Sequence, residues 1–234
     1  MSPSQPHYLP LALPLFLFLA GVFLFVVVLI QIRVLHYAYA MLGLSSNAAL
    51  LILLACLAGS YFNIPIAQMP EQRFVSGQTV SIFGMNYIVP VVVDWPGTII
   101  AVNVGGAVIP GLLSLYLLLQ KRIWISGAVT TTGVALACYL LARPVAGLGI
   151  AIPIFAPPLI TAAMAMLIAR TNVAAVAYVS GSLGTLIGGD VLNLGRIQGL
   201  GAPIASIGGA GTFDGVFLTG ILAVFLASLW GERA

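Results

Sequence analysis

Two aspartates are the residues of this chain best placed to do chemistry. Asp190 and Asp214 lie in a glycine-rich stretch, residues 181–215, with an apolar run of helix length on either side. An ionisable side chain inside a bilayer is costly and is usually retained for a function. When two carboxyls share a site, one keeps its proton while the other acts as a base, and such a pair activates water against a peptide bond. The pattern therefore predicts a catalytic aspartate pair.

The residues beside the pair indicate how a substrate would approach it. The first aspartate follows Gly188 and Gly189, and the second follows Phe213. Because glycine has no side chain, it lets another backbone come close. We predict these three residues as substrate contacts, together with Asp94, which the order of elements brings to the same membrane face. Asp94 lies in Val-Asp-Trp-Pro-Gly, a sequence that is also typical of an ordinary turn.

Both aspartates have a structural interpretation as well. Asp214 would fall in the first turn of a helix, where a carboxylate is favoured by the helix dipole, and Asp190 can accept hydrogen bonds from the glycine-rich loop. Arg196, between them, is either an ion-pair partner or a solvated loop charge. The two cysteines and two histidines have no ligand spacing, so we predict no metal site and no cofactor.

The elements that position these residues are predicted to cross a membrane. The 234 residues are 61% hydrophobic and only 6% charged, whereas about a quarter of the residues in soluble domains are charged. Apolar windows of roughly 20 residues, the length that crosses the hydrocarbon core, recur along the chain. The net charge of +3 comes from scattered residues, which is unlike the basic face of a nucleic-acid-binding protein. The predicted partner is the lipid bilayer.

The apolar runs predict an all-α polytopic membrane protein with about seven transmembrane helices in a single domain, 1–234. A small β-hairpin is predicted over about 73–93, between spans two and three, because β-branched and aromatic residues alternate there with turn residues. The predicted spans are approximately 11–32, 45–62, 97–120, 123–141, 145–169, 172–190 and 212–230. Residues 191–211 are predicted as a loop or a re-entrant segment. Asp190 and Asp214 then lie on neighbouring antiparallel spans at one membrane face.

Basic residues at the ends of the spans predict the orientation. With the N-terminus outside, five Lys and Arg residues flank the cytoplasmic face and three flank the outer face. Because cytoplasmic loops carry the excess of basic residues, we expect the N-terminus outside and the C-terminus in the cytoplasm. Residues 103–107 (NVGGA) also resemble residues 206–210 (SIGGA), at the entries to two spans that run in the same direction.

Longer motifs resemble known families. Residues 94–110 (DWPGTIIAVNVGGAVIP), 184–194 (GTLIGGDVLNL) and 208–215 (GGAGTFDG) resemble a family of bacterial and archaeal integral membrane proteins called domain of unknown function 1614. This resemblance covers most of the chain and implies a prokaryotic inner membrane, but no established activity.

The Gly-Gly-Asp at 188–190 and the Phe-Asp at 213–214 are similar to motifs of intramembrane aspartyl proteases. Presenilin, signal peptide peptidase and prepilin peptidase have Gly-x-Gly-Asp and Tyr-Asp motifs, and the similarity implies that Asp190 and Asp214 are catalytic. In presenilin-like enzymes the two motifs stand in the opposite order, and Ile187 here occupies the position of the first glycine.

We therefore predict an intramembrane aspartyl protease-like protein that cleaves a membrane-embedded peptide. The alternatives are a transporter or channel, which the proline- and glycine-broken spans favour, and a non-catalytic membrane assembly subunit. Carboxyls within hydrogen-bond reach of each other would favour proteolysis, whereas separated carboxyls along a continuous cavity would favour transport. The oligomeric state does not follow from the sequence.

Overall fold

The protein is mostly helical, with several short strands. The computed structural model describes residues 33–70, 72–82, 85–95, 97–145, 149–197, 204–209 and 215–231. The helices are α1 (Arg33–Met41), α2 (Ser46–Gly59), α3 (Ile109–Lys121), α4 (Trp124–Leu141), α5 (Ala156–Ile168), α6 (Val173–Thr185), α7 (Leu194–Ile197) and α8 (Gly215–Gly231). The strands are β1 (Asn63–Gln68), β2 (Gln72–Ile82), β3 (Met85–Trp95), β4 (Ile99–Asn103), β5 (Arg143–Val145), β6 (Gly149–Ala151) and β7 (Ile204–Ile207). The predicted span 11–32 lies outside the described residues.

Several apolar helices make this chain a membrane protein. Val104–Lys121, Trp124–Leu141 and Val173–Ile197 are each long and apolar enough to cross a bilayer. A fourth span results if α1 and α2, bent by 114° relative to each other, are counted together. Large apolar side chains such as Ile125 and Leu140 on α4 are exposed, as lipid-facing residues would be. The described residues thus contain three or four spans, and the predicted number of seven is not confirmed.

Two predicted spans begin later in the structure than in the sequence-based assignment. The span at 97–120 starts with strand β4, and helical structure begins only at Val104. The span at 145–169 starts within the short hairpin β5–β6, and its helix covers Ala156–Ile168. A short apolar, β-branched run cannot be distinguished from a buried helix by its hydrophobicity alone. The prolines at 157 and 158 are tolerated because they lie in the first turn of α5.

The predicted surface hairpin coincides with β2 and β3. These strands pair antiparallel over their full length, from Gln72 opposite Trp95 to Ile82 opposite Met85. This segment agrees closely with the predicted range of 73–93. Asp94 lies on β3 directly opposite Arg73 on β2, so its backbone belongs to a strand ladder and not to an isolated turn.

A second sheet joins three distant parts of the sequence. Its strand order is β1-β4-β7, with β4 antiparallel to β1 and parallel to β7. Side chains tie the three strands together, because Asn103 donates to the Asn63 side chain at 3.1 Å and Ser206 donates to the same Asn63 oxygen at 2.5 Å. Strand β7 lies within residues 191–211, which were predicted as a loop or a re-entrant segment. This segment therefore contributes a sheet edge.

Helix α6 is the centre of the bundle. It packs against α3, α4, α5 and α8, and every residue from Ala175 to Ser182 is buried. A helix that is covered on all sides belongs to the interior of a protein. Small residues let the backbones approach closely, since a Cβ added at Gly181 would lie 3.2 Å from the Cα of Gly220 on α8. This packing fixes the end of α6, where Asp190 follows.

Candidate functional site

Asp190 lies where the path of α6 becomes irregular. A π-helical turn, Leu186–Asp190, follows α6 and is succeeded by a 3₁₀ turn, Val191–Asn193, and by the single turn of α7. Single π turns within helices are frequent at functional sites. The Asp190 side chain is half-buried, and its Oδ2 accepts a 2.7 Å hydrogen bond from the backbone N–H of Gly208. The carboxyl thus connects the end of α6 to the end of β7.

The two glycines before Asp190 allow this turn to pack tightly. A Cβ on Gly188 would overlap the backbone carbonyl of Ala135 on α4, and a Cβ on Gly189 would lie 2.8 Å from the Cδ1 of Ile152. Both glycines are buried. The structure therefore places them in contacts with α4 and with the segment after β6, and their predicted contact with a substrate stays a prediction.

Asn193 satisfies the backbone of the π turn. Its amide nitrogen donates to the carbonyl oxygen of Gly188 at 2.8 Å and to that of Gly189 at 3.1 Å. The side chain is fully buried. A backbone carbonyl left without a partner at membrane depth costs several kcal/mol, so this side chain offsets the irregularity that the π turn introduces.

Arg196 interacts with a tyrosine and an asparagine. Its Nη1 donates to the Oδ1 of Asn193 at 3.1 Å, and its Nη2 donates to the hydroxyl of Tyr139 at 2.8 Å. The guanidinium carbon lies 4.4 Å from the centre of the Tyr139 ring, within the range of a cation–π contact. Among the described residues Arg196 has no ion pair with Asp190, and its exposed side chain lies on the turn of α7 against Tyr139 and Asn193.

Gly208, the hydrogen-bond donor to Asp190, is itself held against another element. Its φ is +74°, and a Cβ at this position would lie 2.7 Å from the backbone nitrogen of Ala107. Ala107 belongs to the π turn Val104–Val108 that leads into α3. A side chain there would meet both strain and steric overlap. Gly208 thereby brings the start of α3, the end of β7 and the Asp190 carboxyl together.

A cavity of about 340 Å³ opens beside the Asp190 carboxyl. Among the described residues it is lined by the end of α6, α7, strand β6 with the segment after it, the start of α5, strand β7 and the first residues of α8. Its lining is mainly apolar, and its polar residues are Thr185, Ser206, Thr219 and Asp190. A mainly apolar cavity with a few converging polar groups is the usual form of a binding site.

Asp214, the second member of the predicted pair, is next in the sequence to a residue that lines this cavity. Asp214 and Phe213 lie outside the described residues, so the distance between the two carboxyls stays a prediction. Gly215, which directly follows Asp214 in the chain, lines the same cavity as Asp190. For Asp94 the structure describes the backbone, which lies on β3.

Two residues of this region were not singled out from the sequence. Tyr139 and Asn63 are an ordinary aromatic and an ordinary asparagine in the sequence, and no local motif marks their long-range hydrogen bonds. Asn193 had a weak signal, since a buried amide next to glycines in an apolar span needs a partner. In the part of the chain that the structure describes, no group of three or more His, Cys, Asp or Glu residues could hold a metal ion.

Comparison with known proteins gives a family and no activity. The chain matches the family described as "Protein of unknown function (DUF1614)" over residues 57–226, which is more than half of its length. The chain belongs to this family. The matched range of this DUF1614 member includes Asp190, Asp214 and the three sheets of the described residues. No curated protein and no solved structure matches the chain.

Proposed function

We propose that this DUF1614 protein is an intramembrane aspartyl protease that cleaves a membrane-embedded peptide with Asp190 and Asp214. The supporting observation is the cavity, which is lined both by Asp190 and by Gly215, the residue next to Asp214 in the sequence. A pair of carboxyls that converge in a mainly apolar cavity is the arrangement that aspartic proteolysis requires.

In the proposed reaction the two carboxyls share one proton. The ionised carboxylate takes a proton from a water molecule, whose oxygen attacks the carbonyl carbon of the peptide bond, while the protonated carboxyl donates its proton to the carbonyl oxygen. Collapse of the tetrahedral intermediate breaks the C–N bond. The amine product leaves with a proton from the dyad, and the carboxylic acid product retains the oxygen of the water.

Strand β7 supplies a surface for the substrate backbone. It is the last strand in the order β1-β4-β7, so that one of its edges pairs with β4 while the described residues place no strand on the other. All four of its residues, Ile204–Ile207, line the cavity beside Asp190. An extended peptide adds to such an edge through main-chain hydrogen bonds. Phe213, Asp94, Gly188 and Gly189 remain predicted substrate contacts.

The test is cleavage of a model transmembrane peptide by the purified protein in proteoliposomes. Asp190→Asn and Asp214→Asn should each lower the rate by at least about a thousandfold, because each removes one half of a unit that acts together. Glu71→Gln, which neutralises a carboxylate in the sequence between β1 and β2, is the matched control and should cleave at the wild-type rate. Wild-type cleavage by either aspartate variant would contradict the proposal.

Transport is the second candidate function, and the interrupted helices favour it. The path of α6 is broken by a π turn at Asp190, and α3 is preceded by a π turn at Gly105 and Gly106. Discontinuous helices with a carboxyl at the break are typical of secondary transporters. Ion or solute flux into the same proteoliposomes that depends on Asp190, without peptide cleavage, would favour transport.

The proposal includes a topology. The chain would cross a prokaryotic inner membrane seven times, with the N-terminus outside and the C-terminus in the cytoplasm. The counts of basic residues at the span ends support this orientation. Strands β2 and β3, and the predicted Asp190 and Asp214 end of the bundle, would then face outward.

A further inference from the structure

A chain of polar contacts runs from helix α4 to the backbone that carries Asp190. It consists of the Tyr139 ring and hydroxyl, the Arg196 guanidinium and the Asn193 amide, in this order. The chain ends on the carbonyl oxygens of Gly188 and Gly189, the two residues that directly precede Asp190. No step of the proposed reaction uses these three side chains.

The Asn193 amide adds side-chain hydrogen bonds to the irregular turn before Asp190. In this turn the N–H of Val191 bonds to the carbonyls of both Leu186 and Ile187, so that a π-type bond accompanies the α-type bond. The Asn193 side chain donates to the carbonyls of Gly188 and Gly189, and the direction in which Asp190 leaves the turn depends on them.

Arg196 fixes the orientation of that amide. A guanidinium group only donates hydrogen bonds, so the group that Arg196 contacts at 3.1 Å must be the amide oxygen of Asn193. With its oxygen held on this side, the amide presents its NH₂ group to the two carbonyls. If the amide rotated by half a turn, its oxygen would face the carbonyl oxygens and its nitrogen would face the guanidinium.

Tyr139 holds Arg196 in place from a different helix. The Arg196 side chain is exposed, and a long exposed side chain without partners samples many rotamers. The 2.8 Å hydrogen bond and the contact with the ring restrict it, because a guanidinium can stack on an aromatic ring and donate hydrogen bonds at the same time. The position of α4 is thereby coupled to the turn at Asp190.

We infer that Asn193 and Arg196 are positioning residues, which set the location of the Asp190 carboxyl in the cavity through the turn 186–190, with Tyr139 as their anchor. The inference rests on the proposed function only in taking Asp190 as the functional carboxyl. Among the described residues, the hydrogen bond from the N–H of Gly208 is the contact that holds the Asp190 side chain. Its position therefore depends strongly on the backbone before it.

The test measures the carboxyl directly and needs no substrate. Dicyclohexylcarbodiimide, an apolar reagent that modifies protonated carboxyls, is added to proteoliposomes at a series of pH values, and mass spectrometry gives the rate of modification at Asp190. Asn193→Leu and Arg196→Met should change this rate by about tenfold or shift its pH midpoint, the size of effect that outer partners of functional groups have. Arg196→Lys, which still donates to Asn193, should restore most of the wild-type profile, and Tyr139→Phe should lie between.

Arg170→Met is the matched control, because it removes one exposed positive charge elsewhere in the chain. It should leave the profile of Asp190 unchanged, which separates positioning from net charge. If the reagent modifies Asp190 in the Arg196→Met variant at the wild-type rate and with the wild-type pH midpoint, the inference is overturned. It is also overturned if all variants give the same profile. Because Arg196 is exposed, its variants keep the test informative even where Asn193→Leu does not fold.

The two proposals fail separately. An altered modification profile in Arg196→Met combined with full peptide cleavage by Asp190→Asn would retain the positioning role and reject the protease. Loss of cleavage in Asp190→Asn combined with an unaltered modification profile in the Arg196 variants would retain the protease and reject the positioning role.

Discussion

The Asp190 carboxyl has a structural contact as well as a proposed catalytic role. It accepts the hydrogen bond of a buried glycine N–H, as the structural interpretation of the sequence expected. A carboxylate that accepts one backbone bond still has lone pairs for water or substrate. The contact therefore determines where the carboxyl lies and leaves its chemistry open to test.

This contact predicts different stabilities for two substitutions at one position. Asp190→Asn keeps an oxygen that can accept from Gly208, whereas Asp190→Ala leaves the buried N–H without a partner. We expect Asp190→Ala to lose about 1–3 kcal/mol of stability more than Asp190→Asn, the cost of an unsatisfied buried donor. Denaturant titration of both variants in detergent measures the difference. Equal stabilities would show that the Gly208 contact contributes nothing.

The individual residues show what the sequence could reveal. Asp190 was recognisable because a carboxyl is rare and costly in an apolar chain. The role of Gly188 in packing against Ala135 was not recognisable, because a glycine in the sequence does not show whether a substrate, a loop or another helix approaches it. The interaction of Arg196 with Tyr139 spans 57 positions, and only the folded bundle brings the two together.

At the scale of elements, β4 and β7 form a matched pair. They run parallel, with Ile99 opposite Ile204 and Val102 opposite Ile207, and the chain continues from each into a Gly-Gly pair and then towards a helix, α3 or α8. The segments noted for their similar sequences, 103–107 and 206–210, begin at the C-terminal ends of these two strands. The resemblance thus adjoins two strands that are neighbours in one sheet, a pairing that neither hydrophobic run revealed.

Gly208, which follows β7, lies against Ala107 in the π turn that follows β4. Gly208→Ala places a Cβ against the backbone of Ala107, whereas Gly149→Ala adds a Cβ where nothing lies within 4 Å, and both positions have a positive φ. Because both variants carry backbone strain, the difference between them isolates the steric overlap. We expect Gly208→Ala to be less stable than Gly149→Ala by about 1–3 kcal/mol, the usual cost of overpacking. Thermal melting in detergent tests this, and a Gly149→Ala variant that is equally or more destabilised would contradict it.

Element type was predictable where the pattern was long or strongly alternating. The helix at 123–141 and the hairpin at 73–93 agree with α4 and with β2–β3. Strand β4 was assigned to a helix because Ile-Ile-Ala-Val is as apolar as a span, and β7 was missed because only its pairing with β4 makes it a strand. Pairing between distant segments is not written in local composition.

The whole molecule is a membrane protein for which hydropathy predicts more spans than the described helices show by length and composition. Hydropathy over the complete chain predicts seven, and three or four helices meet the length criterion. Part of the difference has a local cause, since the β5–β6 hairpin shortens the helix of the predicted span 145–169, and a bend of 114° separates α1 from α2. Strand–helix combinations occur at membrane depth only where protein or water surrounds them.

The proposed topology predicts opposite accessibility for two cysteine substitutions. In a Cys56→Ala, Cys138→Ala background, Gln78→Cys on β2 should react with an impermeant maleimide added outside intact cells. Gln120→Cys, at the exposed end of α3, should react only after the cells are opened. Basic residues at the span ends favour this orientation. Reaction of Gln120→Cys from outside and protection of Gln78→Cys would invert the topology.

The central claim is that Asp190 and Asp214 lie together at the cavity. Its most direct test is disulfide formation between Asp190→Cys and Asp214→Cys in the same Cys56→Ala, Cys138→Ala background, because a disulfide needs Cβ atoms within roughly 4.5 Å. Asp190→Cys paired with Ser228→Cys, near the other end of α8, is the control. We predict rapid, nearly complete cross-linking of 190 with 214 under mild oxidation and none with 228. Absence of the 190–214 disulfide in a folded protein would contradict the account.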